Sequence, residues 1–158
     1  MSEKQKDSPN INKNIHPPFV ALFYLVVAMV LQRFFPIPFE VPAIGRTIGL
    51  GLTFIGFMLG VGAFIEFRKA RTTLDPHGSV KMLVTGGIYR LTRNPIYLGF
   101  FLMVIGFPLN YGSLWGFVAA PFFATTMSRL VIEKEEAYLE KKFKEQYTGY
   151  SSRVRRWV

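Results

Sequence analysis

Two groups of residues in this chain have the types and spacing to do chemistry. The first is the run Gly86-Gly87-Ile88-Tyr89-Arg90-Leu91-Thr92-Arg93-Asn94-Pro95-Ile96-Tyr97. Its paired glycines permit unusual φ values and close backbone approach, Asn94-Pro95 favours a turn or helix start, and Tyr89 and Tyr97 offer aromatic faces with hydroxyls. Such a loop can cradle a flat heteroaromatic ring; it can equally be an interfacial aromatic belt with a helix cap. The second group is Arg129 and Glu133, followed by Glu135 and Glu136. Spaced i,i+4, Arg129 and Glu133 share a helix face, which in the bland case is a salt bridge worth about 0.2–0.5 kcal/mol. The functional reading is that charges retained beside lipid bind something, and the glutamates together would attract a cationic ligand. Other chemistries are poorly served. His16 and His77 have no His, Asp or Glu at metal-ligand spacing, so both read as surface residues and no metal site is expected. The lack of cysteine excludes thiolate chemistry and disulfides. No Gly-x-Gly-x-x-Gly follows a strand, which argues against a Rossmann-type cofactor domain.

The elements that would carry these groups are membrane helices. Half of the 158 residues are hydrophobic and only 18% are charged, a balance that points to one domain resident in a bilayer. Apolar runs cover about 19–35, 44–67, 96–108 and 113–132, and hydrocarbon about 30 Å thick takes roughly 20 helical residues to cross. The runs are continuously apolar rather than alternating, so helices are expected and not a barrel. The third run is the shortest, and the four residues 109–112 between it and the fourth imply a helical hairpin. The fold expected is therefore an all-α integral membrane protein with about four transmembrane helices in a single domain over 17–158, preceded by a solvated tail over 1–16 with no signal-peptide pattern. Pro36, Pro38 and Pro42 interrupt the helix and read as the external turn. Gly45-x-x-x-Gly49 and Gly56-x-x-x-Gly60 offer bare backbone for a neighbouring helix. The polar stretch 70–95, with turns at Asp75-Pro76-His77-Gly78 and Gly86-Gly87, is longer than a spacer in so small a bundle needs to be. Beyond the fourth helix the pattern becomes amphipathic over 133–150, an expected cytoplasmic helical extension lying against that loop.

The net charge of +9 gathers in the tail, in the segment after the second helix and at the C-terminus. Four crossings would bring those regions to one side, and the positive-inside bias makes that side cytoplasmic, with both termini there and the chain in the inner membrane. Nucleic acid is not the expected partner, because the basic residues flank apolar helices without a nucleic-acid module; juxtamembrane Lys and Arg beside anionic lipid suffice.

Taken together, four blocks of this sequence resemble the isoprenylcysteine carboxyl methyltransferase family, in its prokaryotic form. They are Lys81-Met82-Leu83-Val84-Thr85-Gly86-Gly87-Ile88-Tyr89, Arg93-Asn94-Pro95-Ile96-Tyr97, Arg129…Glu133-Lys134-Glu135-Glu136, and Phe143-Lys144-Glu145-Gln146-Tyr147 with Tyr150. The match covers roughly the C-terminal half; the first two helices match only in kind. The resemblance implies an integral-membrane methyltransferase that takes S-adenosyl-L-methionine, releases S-adenosyl-L-homocysteine and has no Rossmann fold. By position it implies mainly backbone contacts to the cofactor from Lys81, Met82, Leu83 and Val84, and enclosure of it by Tyr89, Asn94, Pro95, Ile96 and Tyr97. It also implies a polar cofactor contact from Glu133, and a catalytic, substrate-facing role for Arg129. Where the eukaryotic enzymes carry His-Pro this chain has Asn94-Pro95, and an amide can hydrogen-bond but cannot accept a proton near neutrality. On this reading Glu133→Ala abolishes cofactor binding, and Arg129→Ala impairs turnover with binding kept. The acceptor would be a lipophilic or lipidated carboxylate, with a phospholipid amine as the alternative. A nicotinamide-using enzyme related to sterol reductases and a non-catalytic membrane scaffold are the competing classes.

Overall fold

The computed structural model describes residues 7–72 and 77–158. Over these residues the chain is helical: α1 Pro17–Phe34, α2 Ala43–Lys69, a 3-10 turn Gly87–Arg90, α3 Pro95–Asn110, α4 Trp115–Met127, a π-helical turn Ser128–Ile132, α5 Glu133–Phe143 and α6 Glu145–Ser151. Prolines begin α1 and α3, where the missing N–H costs nothing. Among the described residues three helices are long and apolar enough to cross a membrane: α1, α2 and the continuous helix Trp115–Phe143. The third apolar helix, α3, has 16 residues and at 1.5 Å per residue reaches about 24 Å. It compensates by packing: it touches α1, α2 and α4, and Pro95, Tyr97, Gly99, Val104, Gly106, Pro108 and Leu109 are buried along it.

The bundle has small residues at its seams and large ones outside, as expected where lipid is the solvent. Ala21, Ala28, Gly49, Gly56 and Ala63 are buried on α1 and α2, whereas Phe23, Phe54, Ile55 and Phe57 are exposed. The tightest seam is the antiparallel contact of α2 with α3. A Cβ on Gly56 would lie 2.5 Å from the Gly99 carbonyl oxygen, and one on Gly106 would lie 2.6 Å from that of Gly49. These glycines recur every seven residues, which keeps them on one face over two turns. The four-residue spacings noted in the sequence are not the ones used: a Cβ on Gly60 would meet nothing within 4 Å, and one on Gly45 would meet its own neighbours Val41 and Pro42.

Three further regions add detail to the expected organisation. Within residues 7–16, expected as the end of a solvated tail, Pro9 and Ile11 are buried, and Ile11 joins Tyr97, Val104, Phe123, Met127 and Ile132 in the main core. The segment after the fourth apolar run is continuous with it through the π-helical turn and breaks later, at Lys144, a non-glycine residue with φ 45°. The first of the two turns expected in the 70–95 stretch lies partly outside the described residues. The second is formed by Gly87 at φ 55°, where a Cβ would sit 2.5 Å from Glu66 Cδ, so that both the backbone angle and the space call for glycine.

Candidate active site

A cavity lies between the polar loop and the α5–α6 segment. Its wall is made by Val80, Met82, Leu83 and Val84 of the loop, Tyr89, Arg93, Asn94, Pro95, Ile96 and Tyr97 at the entry to α3, and Phe67 of α2. Glu135, Glu136, Tyr138, Leu139, Tyr147 and Tyr150 complete it from the other side, and Pro9 of the N-terminal segment closes a corner. The local sequence explains how the loop reaches it. The 3-10 turn aims Tyr89 inward against Phe67, at 5.7 Å between ring centroids. The Tyr150 hydroxyl fixes that turn by donating to the Tyr89 carbonyl at 2.7 Å.

The C-terminal residues hold the second half of the loop. Thr92 Oγ1 and Asn94 Nδ2 both donate to the Arg156 carbonyl, at 3.1 and 3.0 Å, and the Arg93 N–H donates to the Arg155 carbonyl at 3.0 Å. Asn94 is buried, and its amide is thus a strut between the loop and the chain end, a task that needs a donor and no titrating group.

The two wall carboxylates differ in their electrostatics. Glu136 is neutralised: Arg156 forks onto it, Nη2 to Oε2 at 2.6 Å and Nε to Oε1 at 3.1 Å, and Arg93 Nη1 adds a contact at 3.2 Å. Glu135 accepts one hydrogen bond, from the Tyr97 hydroxyl at 2.8 Å, and among the described residues no cation pairs with it. It therefore brings an unpaired, buried carboxyl group to a wall of tyrosines, a setting whose complement is a cation: a cation would favour the carboxylate form, and the ring faces supply their quadrupoles. Burial, with Glu135 adding to it, pushes the Tyr89 phenol up, and burial raises Tyr150 as well. Both stay neutral at physiological pH and serve as shape and hydrogen-bonding groups rather than bases.

Of the residues singled out in the sequence, Met82, Leu83, Val84, Tyr89, Asn94, Pro95, Ile96 and Tyr97 meet at this cavity. Lys81 is just outside it, its N–H donating to Thr72 Oγ1 at 3.0 Å. Glu133 is not in the wall and faces Arg156 at 3.9 Å. Arg129 is exposed in the π-helical turn and forms no ion pair with Glu133. Sequence reasoning missed Arg93, Arg156, Tyr138 and the N-terminal Pro9. It favoured Glu133, whereas of the three clustered glutamates the cavity wall contains Glu135 and Glu136.

Residues 44–146 match the phospholipid methyltransferase family. The chain belongs to that family. Among curated relatives it is 28% identical over 114 residues to a protein-S-isoprenylcysteine O-methyltransferase of Schizosaccharomyces pombe, covering 69% of this chain and 47% of the relative. It is 36% identical over 114 residues to protein-S-isoprenylcysteine O-methyltransferase B of Arabidopsis thaliana, covering 67% and 55%. An uncharacterized protein of Haemophilus influenzae is 32% identical over 63 residues, 40% of this chain and all of the relative. The chain thus spans about half the length of the two methyltransferases it matches. No solved structure matches it. The family match includes the loop, α3 and the Glu135–Glu136 turn, while Tyr147, Tyr150 and Arg156 lie beyond its end.

Proposed function

We propose that this phospholipid methyltransferase family member is an S-adenosyl-L-methionine-dependent methyltransferase acting at the membrane interface on a lipophilic acceptor, a carboxylate in the first instance. The observation that carries the reading is Glu135: a carboxylate that pairs with no cation among the described residues, in a cavity lined by five tyrosines. A flat adenine suits the rings, and a sulfonium suits the uncompensated charge. Tyr89, Tyr97, Tyr138 and Glu135 would hold the cofactor, with Met82–Val84 along its edge; when bound, it supplies an electrophilic methyl group.

The chain's own residues then have three tasks. Pro9, Leu83, Val84, Ile96 and Leu139 exclude water. The hydrogen bonds from Tyr97 and Tyr150 fix the wall before anything binds. Arg129, exposed at the end of the apolar part of the helix, would draw an acceptor carboxylate by its planar fork. A carboxylate is already nucleophilic, so no base is required, which accords with the neutral tyrosines. The relatives named as isoprenylcysteine O-methyltransferases support the carboxylate, whereas the family description favours a phospholipid amine as the second reading. The basic residues in the N-terminal segment, the polar loop and the C-terminus support a cytoplasmic site with both termini on that side.

Incubating membranes containing the protein with methyl-labelled cofactor and separating the lipid-soluble products tests this. Base-labile label indicates an ester and base-stable label an N-methyl group. No label in any lipid, together with no calorimetric binding of S-adenosyl-L-homocysteine, would overturn the reading.

A further inference from the structure

Resting on the methyltransferase reading, we infer that Arg156 tunes the cavity to discriminate charged donor from neutralised product. Its side chain and its backbone do separate jobs. The carbonyl receives Thr92 and Asn94 and so braces the loop; the guanidinium forks onto Glu136 at 2.6 and 3.1 Å. Because of that fork, one of the two carboxylates in the wall is compensated and the other is not. Two guanidinium groups, Arg156 and Arg93, thus both face Glu136, and Glu135 is the carboxyl of the wall that no cation among the described residues reaches.

This matters because methyl transfer turns a sulfonium into a neutral thioether. The cavity's net charge therefore sets how much more tightly the donor binds than the product. Too little negative charge and the donor gains nothing over the product; too much and the donor is held at the expense of turnover. Arg93 approaches Glu136 through Nη1 alone, at 3.2 Å, and shares that atom with the Tyr147 hydroxyl at 3.2 Å. Without Arg156, Glu136 would be left incompletely compensated and the cavity would become more negative.

Arg156→Gln removes the guanidinium and leaves the carbonyl in position, so the brace survives while the charge balance changes. Calorimetry on the full-length protein in detergent, with S-adenosyl-L-methionine and S-adenosyl-L-homocysteine as separate probes, reads the ratio of the two affinities. The expected result is a shift of that ratio toward the donor by on the order of fivefold, the scale of one charge acting across a partly solvated cavity. Arg156→Lys keeps the charge but not the fork, and should return the ratio to within about twofold of the wild type. A merely structural role would weaken both ligands alike, so an unchanged ratio in Arg156→Gln overturns the inference while leaving the methyltransferase reading intact. If Arg156→Gln does not fold, a shifted ratio in Arg156→Lys overturns it instead. If the wild type binds neither probe, the methyltransferase reading falls and this inference with it.

Discussion

The Tyr97 hydroxyl donates to Glu135 Oε1 at 2.8 Å, joining the first turn of α3 to the first turn of α5 at the wall of the cavity. The two residues lie 38 positions apart, on either side of the α3–α4 hairpin. A bond between them exists only when the hairpin has closed, so this wall of the cavity is complete only in the folded bundle.

Glu135→Gln should weaken donor binding by about tenfold or more, since hydrogen bonds and contacts to charged groups are worth roughly 1.5–3 kcal/mol. S-adenosyl-L-homocysteine should be affected less, because it lacks the sulfonium. Glu133→Ala should change either affinity by less than about threefold, given its position outside the wall and its 3.9 Å surface contact. Calorimetry on the two variants side by side checks the assignment; a larger loss in the Glu133 variant would reverse it.

Tyr150→Phe should destabilise the fold by about 1–2 kcal/mol, the cost of leaving the Tyr89 carbonyl without its donor. The affinity for adenosyl ligands should fall with it, since Tyr89 loses the brace that fixes its turn. Thermal unfolding in detergent together with a binding isotherm separates the two effects.

Gly56→Val should be poorly tolerated, costing about 3 kcal/mol or more, because the obstructing atom is the Gly99 backbone carbonyl and cannot rotate away. Gly60→Ala, where the added methyl meets nothing within 4 Å, should be neutral or stabilising by up to about 1 kcal/mol. The contrast between neighbouring positions of one helix is visible in a melting curve.

The N-terminal segment should stay docked across the physiological pH range and release only in acid. Hydrogen bonds from Lys142, then Ser79 and Tyr138, hold the Asp7 carboxyl down from its ordinary 3.8 to about 2. Its folded pKa is depressed, so this tether is fully present above about pH 4 and is lost as pH falls through 2. The chain contains no cysteine, so a Ser8→Cys variant takes a single environment-sensitive fluorophore. Its emission should be flat from pH 5 to 8 and should change below pH 4; Asp7→Ala should show the acid emission at neutrality.

The helices and the polar loop could be read from the sequence because hydropathy and prolines act locally: Pro95 starts α3 and the apolar run of α2 ends at Lys69. The eight loop and α3 residues expected together do meet at one cavity, since they lie on a short continuous segment. What escaped depends on contacts distant in the chain. Ile11 stands alone in polar sequence and is buried because the folded bundle, with α1, α3, α4 and the π-helical turn in one core, offers it a place. The choice between Glu133 and Glu135 turns on the π-helical turn at Ser128–Ile132, whose wider winding changes which residues beyond it face the loop, and no residue type announces it. The glycine spacing misled for a related reason, as Gly49 and Gly56 are selected by Gly106 and Gly99 on another helix.

The contact of α2 with α3 would restrict how the lipophilic acceptor proposed above could arrive. Where peptide carbonyls of one helix rest against glycines of the next there is no side-chain layer to part, so a hydrocarbon tail cannot slip through that seam. On the proposed reading, traffic from the bilayer would have to use another flank of the bundle, with the paired glycines acting as a weld along this one.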